Sequence, residues 1–202
     1  MTGTGGMVPA GDSFEPVPPE LQSVLLRYSR LLLEHSLLRA AGPGTAGEPR
    51  PPRSEVLSGQ RPGVFVTLRH QGKLRGCVGS ITGEEPLVQA IRRRSLDAAF
   101  RDRRFPPLRA EELGFLSIEH SLLSPLEDVE EPEAIRIGEH GVVMTVEGAR
   151  ALFLPEVALQ HDWDLDKTLA SLSLKAGLPE DAWRREDARF QVFRTQHYGE
   201  EI

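Results

Sequence analysis

Leu21, Val24, Leu25, Tyr28 and Leu32 recur at the spacing of one helix face, just after Pro18 and Pro19, where a helix start tolerates proline. That helix should stop near Gly42-Pro43. The stretch GPGTAGEPRPPRSEVLSGQRPG that follows is rich in proline and reads as an extended surface connection. From Gly63 the period becomes two. Val64, Val66 and Leu68 alternate with Phe65, Thr67 and Arg69, as in a half-buried strand. His70-Gln71-Gly72-Lys73 supplies turn chemistry, and Leu74, Gly76 and Val78 continue the alternation in a return strand.

Helical spacing returns from about Pro86 to Phe100, with Leu87, Ala90, Ile91, Ser95 and Ala98 on one stripe. Phe105-Pro106-Pro107 blocks continuation, because proline lacks the amide donor and restricts the residue before it. Phe115 to Leu123 predicts a strand with Leu116, Ile118, His120 and Leu122 on one side and Ser117, Glu119 and Ser121 on the other. A hairpin fits Val142 to Leu154, turning near Glu147-Gly148. Asp164 can cap a helix carrying Leu165, Leu169 and Leu172 that Gly177 closes, and Phe190 to Thr195 reads as a final strand. Strands and helices in mixed order, with at least two hairpins, predict an α+β fold.

Composition narrows the setting. Residues 1–16 are small, glycine- and proline-rich and aperiodic, which predicts a disordered tail and leaves 17–202 for the folded domain. The formal charge of −6 gives no general attraction to nucleic acid or anionic membrane. No stretch reaches the roughly 20 apolar residues of a membrane span, and the N-terminus lacks the basic start and apolar run of a signal peptide. A single cysteine cannot form an internal disulfide, which fits a reducing, cytoplasmic setting.

Candidate chemistry centres on that cysteine, Cys77, in LRGCVGS. Arg75 lies two positions before it on the return strand, so the two should share a face, and a nearby guanidinium favours the thiolate. Gly76 and Gly79 add little bulk, which would let a ligand approach and leave N–H groups free for an oxyanion. Spacing alone also fits a small, inert core cysteine. Asp102 and Arg104 precede the rigid Pro-Pro corner and could form a polar rim. Lys175 stands at a helix C-terminus, where the dipole already favours a cation.

The six histidines make no H-x-x-x-H pair and no second cysteine completes C-x-x-C, so no metal site is assigned. His120, on an apolar side, reads as a hydrogen-bonded core residue. There is no P-loop, no G-x-S-x-G elbow and no cofactor motif. Arg92-Arg93-Arg94 with Arg101, Arg103 and Arg104 reads as a solvated helix face rather than a nucleic-acid site, since three consecutive helical residues span about 200°.

Taken together, VFVTLRHQGKLRGCVGSI, PLVQAIRRRSLDAAFRDRRFPPL, ELGFLSIEHSLLSPLE, LPEVALQHDWD and LKAGLPEDAW resemble the AMMECR domain family, found alone or as component A of AmmeMemoRadiSam systems. The resemblance implies a two-lobed α+β fold. Its larger lobe would join N- and C-terminal parts around a mainly antiparallel sheet with helices, its smaller lobe would come from the middle, and a cleft would lie between. It implies a site at Cys77 and carries D-x-R-F-P-P onto Asp102, Arg104, Phe105, Pro106 and Pro107. Its L-P-Q/E-V-A motif falls on Leu154 to Ala158 and brings in Glu156. The chain departs from the pattern at Ser173, where many relatives carry a second cysteine, at His120, and at Asp162, which replaces a common glycine. No activity is carried by the resemblance; it implies a pathway shared with Memo-like and radical-SAM proteins. Two readings follow. In one, a small-molecule enzyme or binding protein uses Cys77 as nucleophile or carrier, Arg75, Gly76, Gly79, Asp102 and Arg104 to bind, and Glu156 or Lys175 for proton transfer. In the other, LRGCVGS and RDRRFPP form a non-catalytic recognition surface for a partner protein.

Overall fold

The computed structural model describes residues 14–41 and 47–200. The tail expectation therefore falls largely outside the described residues. Within them the chain is already packed at Phe14, and the Val17 amide donates to Gln196 Oε1 at 2.8 Å.

The apolar period of the first segment produces α1 (Pro19–Ala41), which buries Leu25, Leu32 and Leu33. The expected stop at Gly42-Pro43 lies outside the described residues. A short α2 (Glu55–Ser58) interrupts the proline-rich connection and seats Leu57 in the core. β1 (Gly63–His70) and β2 (Lys73–Ser80) form the first hairpin. Its turn places Gln71 at φ 51° and Gly72 at φ 76°, the left-handed pair that matches strand twist. α3 (Leu87–Phe100) buries the anticipated stripe against β1 and α1. A 3-10 turn (Ala110–Phe115) leads into β3 (Leu116–Leu123).

β4 (Glu127–Val129), β5 (Gly141–Val146) and β6 (Ala149–Phe153) follow, the last two joined through Glu147 and Gly148, both at positive φ. α4 (Pro155–Gln160) and α5 (Leu165–Lys175) come next. The Asp164 carboxylate caps α5 by accepting from the Lys167 amide at 2.8 Å, and Gly177 closes it at φ 79°. The single expected C-terminal strand is two, β7 (Arg189–Phe193) and β8 (Thr195–Gly199), because the chain changes sheets at Arg194.

Two antiparallel four-stranded sheets result, ordered β2-β1-β3-β8 and β4-β7-β5-β6. The first joins early strands to the last one and packs Val64, Val66, Leu68, Ile118 and Leu122 against α1 and α3. The second takes β4 to β7, over residues 127–193, and packs Met144, Val146 and Val192 against Leu169 and Leu172 of α5. A third apolar cluster joins the two sheets. It consists of Leu123, Val143 and Phe193, flanked by Phe65, Ile81, Leu126, Leu152 and Leu154. The α+β class and the antiparallel pairing flanked by helices agree with the expectation from sequence, which anticipates one main sheet where the structure has two. No helix among the described residues is long and apolar enough to cross a membrane.

Candidate functional site

Side chains on β1 alternate across the first sheet. Val64, Val66 and Leu68 enter the helix-covered core, while Phe65, Thr67 and Arg69 take the other face. Register then fixes what lies beside them. Cys77 stands opposite Thr67, and Thr67 stands opposite Glu119 of β3. The adjacent row reads Gly79, Phe65, Ser121, His197. The Thr67 hydroxyl donates to Cys77 Sγ at 3.3 Å, Arg69 Nε donates to Glu119 Oε1 at 2.6 Å, and Ser121 Oγ lies 3.1 Å from His197 Nδ1. Thiol, hydroxyl, carboxylate, guanidinium and imidazole thus share one sheet face. The Cys77 residue is neither sealed nor fully exposed.

β2 is an edge strand, so a row of its backbone groups would lack partners. At Cys77 the D-x-R-F-P-P corner supplies them. Asp102 Oδ2 accepts the Cys77 N–H at 2.9 Å, and Arg104 Nη2 donates to the Cys77 carbonyl at 3.0 Å. Asp102 and Arg104 are themselves joined at 2.7 Å and 2.9 Å, and the Asp102 side chain is only 6% exposed. The Arg104 hydrogen bonds, with those from the Cys77 and Arg104 amides, hold the Asp102 carboxyl well below the usual carboxylate range. The same pair acts in the opposite sense on Arg104, whose pKa is raised. This clasp replaces a neighbouring strand and locks the two most distinctive motifs together.

The glycines of LRGCVGS have packing roles. A Cβ on Gly76 would stand 2.2 Å from the Ala98 carbonyl oxygen of α3, and one on Gly79 would stand 2.3 Å from the Phe65 ring. Their missing side chains let the helix and the aromatic ring close on the strand, and the Cys77 amide is already engaged by Asp102. Arg75 is displaced by a β-bulge: Leu68 pairs with Gly76 but Arg69 pairs with Leu74. Its guanidinium makes a bidentate pair with Glu112 (2.6 and 3.0 Å) and lies 6.0 Å from the Phe105 ring centroid. The Arg75 hydrogen bond is the main reason the Glu112 carboxyl lies below its ordinary pKa.

Lys175 of α5 reaches the inter-sheet contact, whereas Glu156 lies in α4. Lys175 Nζ donates to the Leu152 carbonyl at 2.8 Å and lies 4.6 Å from the Phe153 ring centroid. Partial burial lowers its pKa. Leu152 and Leu154 join Phe65 in the third apolar cluster, and Glu156 is exposed two residues further on. The structure therefore places Cys77 one row from that cluster and Lys175 on its backbone, and leaves Glu156 exposed in the first turn of α4.

His120 is a core residue, completely buried between Ser29 Oγ at 2.9 Å and the Tyr198 hydroxyl at 3.3 Å. Burial pushes its pKa down to about 3, so it is neutral. Among the described residues no group of three or more His, Cys, Asp or Glu is placed to hold a metal ion. Thr67, Arg69, Glu119, Ser121 and His197 were not singled out from the sequence. Alternation identified the face of Thr67 and Arg69, whereas His197 required recognition of β8.

The two-sheet α+β fold has a solved counterpart. The crystal structure of uncharacterized protein PH0010 from Pyrococcus horikoshii aligns with a TM-score of 0.76 and 34% identity, over 92% of this chain and 94% of that one. The family model AMMECR1 matches residues 27–198, and the chain belongs to that family. Relatives include a protein of Methanothermobacter thermautotrophicus, 34% identical over 93% of this chain and 98% of its own. Another is protein MJ0810 of Methanocaldococcus jannaschii, 37% identical over 87% of this chain and 88% of its own.

Proposed function

We propose that the chain binds a small polar molecule on the face of the first sheet opposite its helices, beside the inter-sheet cluster at Phe65, with Cys77 at the centre. The observation that supports this most is the content of that face. Phe65 packs one part of that face against the second sheet, whereas beside it Cys77 is followed across the strands by Thr67 and Glu119, with Arg69, Ser121 and His197 in neighbouring rows. Such a surface can donate and accept hydrogen bonds to a ligand while the thiol contacts it. The clasp by Asp102 and Arg104 fixes the backbone beneath the thiol, and thereby preorganises it. In this reading Asp102 and Arg104 position Cys77 and do not touch the ligand. Gly76 and Gly79 serve close packing, Arg75 braces the bulge through Glu112, and Lys175 holds the Leu152 strand end. The pathway is the one that the family resemblance links with Memo-like and radical-SAM proteins. Native mass spectrometry of the chain, purified gently from its host, tests the reading. A bound small-molecule mass is expected and should disappear in Thr67→Phe, which fills the face beside Cys77. A chain that carries no such mass, or a variant that retains it, contradicts the proposal.

A second reading, recognition of a partner protein, is favoured by exposed apolar residues at one end of the same sheet. Phe115 is 61% and Leu74 41% exposed, and Phe115 meets His70 edge-on at 6.0 Å. Affinity capture of a partner that is lost in Phe115→Glu would support it. Equal recovery by both forms would remove it.

A further inference from the structure

The arginine-rich face of α3 borders a pocket of its own, away from Cys77. Arg92, Arg93, Leu96, Asp97 and Phe100 of α3 and Arg101 just after it, with Ser36 of α1, line a recess of about 370 Å³. Two features of its lining point to a ligand. The first is charge. Asp97 is the only acid among the lining residues, and it is shared by Arg101 at 3.0 Å, Arg94 at 3.8 Å and Arg93 at 3.9 Å. Arg94 lies outside the lining, so within the recess Asp97 is shared by Arg93 and Arg101, which remain 58% and 78% exposed. Glu48 engages Arg92 from outside the recess, and Glu85 reaches Arg93 only at 3.8 Å. A cationic recess on a chain of net charge −6 is a local feature rather than an average one.

The second feature is the floor. Leu96 and Phe100 are only partly buried, packing one side against the main core and lining the recess with the other. Helical geometry explains the combination. Positions 93, 97 and 101 are spaced by four, as are 96 and 100, so a charged row runs beside the apolar pair Leu96 and Phe100. Ser36 Oγ donates to Leu32 O within its own helix, which leaves its oxygen free to accept at the rim.

We infer that this recess binds a small organic phosphate: its anionic group between Arg93 and Arg101, its apolar body on Leu96 and Phe100. Guanidinium forks fit phosphate oxygens by paired, charge-assisted hydrogen bonds. The volume falls within the range of small-ligand pockets, about 300–1,000 Å³. Asp97 is the internal competitor of the phosphate, holding the guanidiniums in place while the recess is empty. The inference is independent of the Cys77 site.

The test is titration of the ¹⁵N-labelled chain with phenyl phosphate, followed by amide shifts, with inorganic phosphate and benzyl alcohol as separate probes. Saturable shifts are expected in residues 92–101, with phenyl phosphate binding more tightly than either fragment. Arg93→Ala with Arg101→Ala, both exposed and harmless to the core, should weaken binding by about tenfold or more, the scale of losing two charge-assisted contacts. Asp97→Asn should tighten it, provided its unfolding temperature shows the fold retained. Added salt should weaken binding in the native chain. Absence of saturable shifts at millimolar phenyl phosphate overturns the inference. So does binding that is unchanged in the double arginine variant, or shifts that map to another surface.

Discussion

Replacing Asp102 by asparagine separates a polar rim from a structural clasp. The carboxylate accepts four hydrogen bonds: the Cys77 amide at 2.9 Å and Arg104 Nη2 at 2.7 Å on one oxygen, the Arg104 amide at 3.1 Å and Arg104 Nε at 2.9 Å on the other. Asparagine keeps the shape but turns one oxygen into an NH₂ group facing two donors. At about 1.5 kcal/mol for each bond to a charged group, the two lost bonds amount to about 3 kcal/mol. For a chain of this size that corresponds to a fall of about 6–12 °C in unfolding temperature. Thermal unfolding followed by circular dichroism measures it. The pH dependence gives a second check, because the folded Asp102 pKa is depressed. The stabilisation is fully present above the unfolded carboxyl value, about 3.9, and declines as pH falls below it. The acid limb of Asp102→Asn should therefore be shallower than that of the native chain. An unfolding temperature within about 2 °C of the native one, with parallel acid limbs, would refute the clasp.

Two other substitutions probe the surroundings. Gly76→Ala forces a methyl to 2.2 Å from the Ala98 carbonyl and should cost about 1–3 kcal/mol in urea unfolding; an unchanged midpoint would show that α3 does not rest on the strand as described. For His120, the folded pKa of about 3 lies below the ordinary 6.5, so the unfolded state takes up the proton first. Its contribution is complete above pH 6.5 and shrinks towards pH 3, by up to about 1.4 kcal/mol per pH unit. The stability of the native chain minus that of His120→Gln should follow this slope, and a pH-independent difference would contradict a neutral buried imidazole.

Much of the fold was legible because the apolar period changes where the structure changes. The switch at Gly63 from a helical period to strict alternation marks β1, and Gln71-Gly72 marks its turn. β8 was missed because Thr195–Gly199 carries little apolar alternation; its place is set by pairing with β3 and by Tyr198 packing on His120. The candidate site was legible in its residues more than in their roles. Alternation assigns Arg75 and Cys77 one face, but the bulge beside Arg69 turns Arg75 towards Glu112, and a bulge depends on the partner strand. Asp102 and Arg104 look like a rim in sequence because nothing local reveals that β2 is an edge strand whose backbone they satisfy. Glu119 and His197 join Cys77 only through register across four strands.

The central claim is that Cys77 lies on a ligand-binding face. Site-resolved iodoacetamide labelling, with and without the low-molecular-weight fraction of host extract, tests it most directly. Cys77 should label in the folded chain and be protected several-fold by that fraction, with protection lost in Thr67→Phe. Labelling only on unfolding, or at the same rate with and without the fraction, would contradict it.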